Sequence, residues 1–155
     1  MEEVVIAKKD LKCKLLVNGL NHISTCEAAV GQLNEAMATI EYCLSRMDEQ
    51  FGEESSKQRV YGRLLYDIGN LYRSMFCFSD ARQSFEKAKL AYKAALDIDN
   101  VNRKYWLDKC EERCKECDSH WIPNQALPWD RNWIMNSFRL ILAWVKFSPA
   151  PIFTF

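Results

Sequence analysis

The 155-residue chain carries 21 basic and 21 acidic residues, so its balanced charge offers neither a basic footprint for nucleic acid nor an acidic tail. It is long enough for one domain with a real core, and with five Gly and four Pro (three of the Pro after residue 127) its body is compatible with helix. The N-terminus MEEVVIAKKDLKCK is charged and lacks a long apolar run; together with an odd number of cysteines, seven, this predicts free thiols in a reducing compartment, the cytoplasm.

Residues 1–16 are expected to form an N-terminal helix, with Val4, Val5, Leu11, Leu15 and Leu16 among Glu and Lys, although Val4-Val5-Ile6 also suits an extended start. Residues 17–50 carry Leu20, Ile23, Ser24, Gly31, Ala36, Ile40 and Cys43, a weak version of a pattern that returns 45 residues later. A polar connection, FGEESSKQRVY, follows, with Gly52 suited to a helix C-cap.

Residues 62–96 are the most informative stretch. Leu65, Ile68, Gly69 and Tyr72 recur at helical spacing, and after a break Ala81, Phe85 and Ala88 do the same. Small and large residues alternate, so that in an antiparallel hairpin Gly69 would face Phe85, or Ala81 would face Tyr72. Ser79 or Asp80 is the expected N-cap of the second helix, which should run on through Leu96. Gly62 reads as lying at the entrance of the first helix, where its flexibility matters less than the close packing of Gly69.

This set of positions resembles the tetratricopeptide repeat, in which a large apolar residue, Leu-Gly, Tyr, Ala, Phe and a small residue occupy these offsets. The Pro expected near the repeat's end is replaced by Lys93. The 45-residue offset exceeds the family's period of about 34 residues, and with Phe51-Gly52 it is similar to the longer repeats of the kinesin-light-chain type. The resemblance implies an all-α, antiparallel helix-pair solenoid, with 17–50 as a degenerate hairpin and 62–96 as a clear one.

Residues 101–120 are expected to form a third or capping helix, with Val101, Tyr105 or Trp106, Leu107, Cys110, Cys114 and Cys117 at spacings of three and four. Residues 121–155 change character into an atypical aromatic and Pro-containing tail with no repeat position. Packing on the last hairpin, disorder and a membrane or partner surface formed by Trp129, Trp133, Trp144 and Lys146 are all readings of this tail. Its apolar stretch 134–147 is interrupted by Asn136, Ser137 and Arg139 and falls short of the roughly 20 residues that a spanning helix needs.

Two constellations are candidates for function. Cys110, Cys114, Cys117 and His120 have metal-ligand spacings, including the CxxxCxxC of radical-SAM iron–sulfur enzymes, and allow a metal-binding regulatory module as an alternative. On a continuous helix, however, residues 110–120 span about 15 Å, too far for one ion. The thiols then read as a buried stripe with Trp106 and Trp121, and neither a metal nor another cofactor is expected.

Arg63, Tyr66, Asn70 and Arg73 share the other face of interest, to one side of the Leu65–Tyr72 stripe. The resemblance places these residues in a concave groove that holds a peptide or helix. The amide of Asn70 can bond peptide backbone in both senses, and the guanidinium groups suit carboxylates. Asn18 and Asn21 extend the polar groove into the weaker copy. His22 and His120, the only histidines, assemble no nucleophile and base, so no catalytic residue is expected. The expected protein is a non-catalytic cytoplasmic scaffold or adaptor with a protein or peptide partner and no nucleic acid. A membrane-associated adaptor using the tail is a further alternative, and self-association is left open.

Overall fold

A computed structural model of the chain describes residues 2–120, and within them every regular element is helical. Five α-helices follow one another: α1 (Glu2–Ala29), α2 (Leu33–Phe51), α3 (Arg59–Ser74), α4 (Phe78–Ala94) and α5 (Asn100–Ser119). A 3-10 segment, Gly52–Lys57, joins α2 to α3. Each helix packs against the next in sequence, and α1 also meets α3. The tail, 121–155, with the expectations placed on Trp121, Trp129, Trp133, Trp144 and Lys146, lies outside the described residues.

Two apolar clusters hold the helices together. Cys13 and Val17 of α1, Ala36, Ile40, Cys43 and Met47 of α2, and Val60, Leu64, Ile68 and Leu71 of α3 form the first. Tyr66, Ala81, Phe85, Ala88 and Tyr92 join Cys110, Cys114 and Cys117 of α5 in the second. Helix α3 contributes to both because Val60, Leu64, Ile68 and Leu71 lie on one side of it and Gly62, Tyr66 and Gly69 on another. The small–large alternation expected in residues 62–96 is realised by Gly69, where a Cβ would stand 2.6 Å from the Phe85 ring. Gly62 is also a contact position, contrary to the expectation: it is buried three residues inside α3, and a Cβ there would lie 3.2 Å from the ring of Tyr92.

The α1–α2 and α3–α4 turns make the same hydrogen bonds at positions 45 residues apart. Gln32 N–H donates to Glu27 O and Gly31 N–H to Ala28 O; Cys77 N–H donates to Tyr72 O and Phe76 N–H to Arg73 O. This pair of bonds closes a helix C-terminus in the Schellman manner, which requires one left-handed residue. Gly31 supplies it at φ +86° and Phe76 at φ +59°.

Several boundaries differ from the sequence expectations. No break separates 1–16 from 17–29, because Cys13 and Val17 bury on the same side of one 28-residue helix; Val4-Val5-Ile6 is helical as well. Helix α4 begins at Phe78 with Cys77 as its N-cap and no side-chain cap, so neither Ser79 nor Asp80 has that role. It stops at Ala94, before Leu96, because Ala95 is extended, Leu96 N–H donates to Lys57 O and the Arg103 guanidinium donates to Ala95 O. Gly52 is the C-cap of α2 at φ +55°, as its residue type suggests. At the start of α5 the Asp99 carboxylate accepts from Asn102 N–H at 2.8 Å.

Candidate functional site

The residues expected to line a groove lie where side chains of α1, α3 and α5 approach one another. Asn21 Nδ2 of α1 donates to Asp67 Oδ2 of α3 at 2.8 Å, and Arg63 Nε donates to the same oxygen at 3.0 Å. Asn21 is buried, and its carbonyl also accepts from Ser24 Oγ. The Arg63 guanidinium lies over the Trp106 ring, 4.9 Å from its centroid, so it is held by a carboxylate on one side and a π face on the other. A cleft of about 140 Å³ lined by Asn18, Arg59, Arg63 and Trp106 opens here. A second cleft, of about 130 Å³, lies between α1 and α3 beside Ser24, Thr25, Asp67, Asn70 and Ser74.

The expected groove set divides. Arg63 and Asn70 line these clefts and are partly exposed. Arg73 is directed toward α5 and pairs with Glu116 at 3.3 Å. Tyr66 does not face a groove: only 7% of it is exposed, with its ring 5.3 Å from Phe85 and 5.3 Å from Trp106. Its hydroxyl accepts from Arg113 Nε at 3.2 Å. The reason is non-local, since α5 lays Trp106 and Arg113 across the face that looks open on α3 alone. Asp67, the hub of the Asn21–Arg63 contacts, was missed by the sequence reading, although its spacing of four from Arg63 is a helical ion-pair signal.

Cys110, Cys114 and Cys117 lie on successive turns of α5 and are all buried against α4. Burial pushes the Cys110 thiol up to about 12 and that of Cys114 up to about 11, with the neighbouring Cys114 thiol and Glu86 adding to the respective shifts. These are protonated core groups packed with Phe85 and Ala88. His120 is the exposed C-cap of α5, its ring 5.0 Å from that of Phe78, and His22 is exposed on α1. All seven cysteines are free thiols. Among the described residues no helix is long and apolar enough to cross a membrane.

Compared with known protein families, curated proteins and solved structures, the chain matches none.

Proposed function

We propose that this chain is a non-catalytic, cytoplasmic scaffold or adaptor of the tetratricopeptide-like kind, holding an extended peptide or a helix of another protein between α1 and α3. The observation that carries the reading is the row Asn18, Thr25, Arg63, Asp67 and Asn70, which borders two clefts and presents donors and acceptors together. A peptide main chain has the same alternation of donors and acceptors, and a groove of this composition binds it without demanding one side-chain sequence. The matching hydrogen bonds of the two turns, with Gly69 against Phe85, support the repeat reading beneath it. The free thiols support the cytoplasmic one.

A displayed peptide library selected on the full chain tests the proposal. Selected peptides should lose about fivefold or more in affinity to the Asn70→Ala variant, because a lost amide pair at a desolvated contact costs about 1–3 kcal/mol. Lys115→Ala, on the outer side of α5, should leave binding unchanged, and both variants should keep wild-type helicity. Peptides indifferent to Asn70→Ala and to Asn18→Ala would remove the function from this groove.

A further inference from the structure

The first and last helices leave very different outer faces. Helix α5 turns Trp106, Cys110, Cys114 and Cys117 inward; its outer face exposes Val101 and Tyr105 in the first two turns and Asp108, Glu111, Glu112, Lys115 and Asp118 along the rest. Helix α1 buries Cys13, Val17, Asn21 and Ser24, yet exposes Leu11 (57%), Leu15 (62%), Leu16 (46%) and Ile23 (51%). The exposed positions are not scattered. Leu15, Gly19, Ile23 and Cys26 stand 45 residues before Val60, Leu64, Ile68 and Leu71, the face by which α3 buries itself against α2. Helix α1 therefore presents the interface of α3 without its partner helix. Gly19 lies at the centre of this face with nothing within 4 Å of where its Cβ would be, whereas Gly62 and Gly69 each receive an aromatic ring. A mid-helix glycine costs about 1 kcal/mol relative to alanine, a loss that close approach of another helix offsets.

We propose that a second copy of the chain covers this face, with the two α1 helices antiparallel about a two-fold axis at Gly19. Charge chooses this occupant and its direction. Lys8, Lys9 and Lys12 lie in the N-terminal half of α1, and of its lysines only Lys14 has an ion-pair partner among the described residues, Asp97. The C-terminal half of α1 carries one charge, Glu27, at the edge of the face. Antiparallel pairing sets Leu15 opposite Ile23, Lys8 opposite Val30, and Lys12 opposite Cys26 and Glu27; parallel pairing would set lysine against lysine. Head-to-tail stacking would set the apolar face of α1 on an outer face of α5 that is apolar only at Val101 and Tyr105 and charged from Asp108 to Asp118, so the assembly closes at two copies. The two helices overlap over residues 9–29, a contact about 32 Å long that lies at the small end of stable interfaces, which makes the association reversible.

The full chain should sediment as a concentration-dependent dimer at micromolar concentrations, and Leu15→Glu or Ile23→Glu should each leave a monomer of unchanged helicity. Lys12→Glu should weaken association at least tenfold, and the Lys12→Glu/Glu27→Lys pair should restore it. Under mild oxidation Gly19→Cys should cross-link to its mate, and Asp108→Cys should not; this readout holds even where a charged variant unfolds. A wild-type chain that stays monomeric throughout, or a dimer that survives Ile23→Glu and fails to cross-link through Gly19→Cys, would overturn the proposal. The second result would assign the association to another surface, such as the apolar tail.

Discussion

Ser24 and Gly69 stand 45 residues apart at corresponding places in the two hairpins, and the chain solves the same packing problem differently at each. In α3 the side chain is deleted and the Phe85 ring fills the space. In α1 a buried hydroxyl remains, satisfied by the Asn21 carbonyl of its own helix at 2.8 Å, and the residue corresponding to Phe85 is the smaller Ile40. The difference is one of tolerance. A hairpin closed by an aromatic ring on bare backbone gains a large buried surface but accepts no added atom, whereas the serine–isoleucine version has volume to trade.

The largest expected effects test that difference directly. Phe85→Ala should cost about 3–5 kcal/mol, and Ile40→Ala less, toward the lower part of the 2–5 kcal/mol range for aliphatic truncation. Gly69→Leu should cost about 3 kcal/mol by overpacking, more than Gly62→Leu, because the Phe85 ring is nearer to Gly69 than the Tyr92 ring is to Gly62. Ser24→Ala should cost less than 1 kcal/mol. In the Gly69→Leu/Phe85→Ala double variant the added leucine occupies the vacated ring space, so the two losses should fall well short of adding. Denaturant melts of these variants and of Ser24→Leu measure all of this. Equal costs for Gly69→Leu and Ser24→Leu would show that the hairpins do not differ as described.

How much of this could be read in advance depended on how local the cause was. Gly69 against Phe85 was legible because both residues fall on the facing stripes of consecutive helices, where periodicity alone brings them together. The buried row Cys110, Cys114 and Cys117 was legible for the same reason. The continuity of α1 was obscured because apolar residues surround much of that helix, leaving no single stripe whose interruption would mark a boundary. Tyr66 was misassigned to the groove because its burial depends on Trp106, 40 residues away and on a helix that the α3 pattern does not contain. The role of Cys77 as N-cap was hidden because its side chain makes no capping bond; the turn is fixed by main-chain bonds, which side-chain preferences do not report.

A smaller effect concerns the end of the second hairpin. The Asp97 carboxylate accepts from Arg59 N–H at 2.6 Å and from Lys14 Nζ at 3.0 Å, tying the chain after α4 to the start of α3 and the middle of α1. Burial works against the charged form, but these two bonds outweigh it and hold the carboxyl below its ordinary value. A carboxyl depressed in the folded state contributes stability above its unfolded pKa, near 4, and that contribution is lost as pH falls through the folded value. Asp97→Asn should therefore lower stability by about 1 kcal/mol at neutral pH, after allowance for solvent screening, and should flatten the loss below about pH 4. Thermal melts from pH 7 to pH 3 give the test; parallel curves for variant and wild type would remove Asp97 as the clasp.

The smallest effect has opposite signs in the two hairpins. Gly31 and Phe76 fill the same left-handed position in matching turns, but only glycine adopts that conformation without its Cβ crowding the following carbonyl. Phe76 is 78% exposed, and its ring meets Phe78 at 6.3 Å edge-on, so removing it forfeits little burial. Relief of the backbone conformation is worth about 1–2 kcal/mol, and the added freedom of glycine in the unfolded chain takes back about half of that. Phe76→Gly should therefore stabilise the chain by about 0.5–1 kcal/mol, whereas Gly31→Ala should destabilise it by about 1 kcal/mol although nothing lies near the added methyl group. Denaturant midpoints at constant slope measure both. Two shifts of the same sign would mean that the turns, for all their matching hydrogen bonds, do not hold their central residues alike.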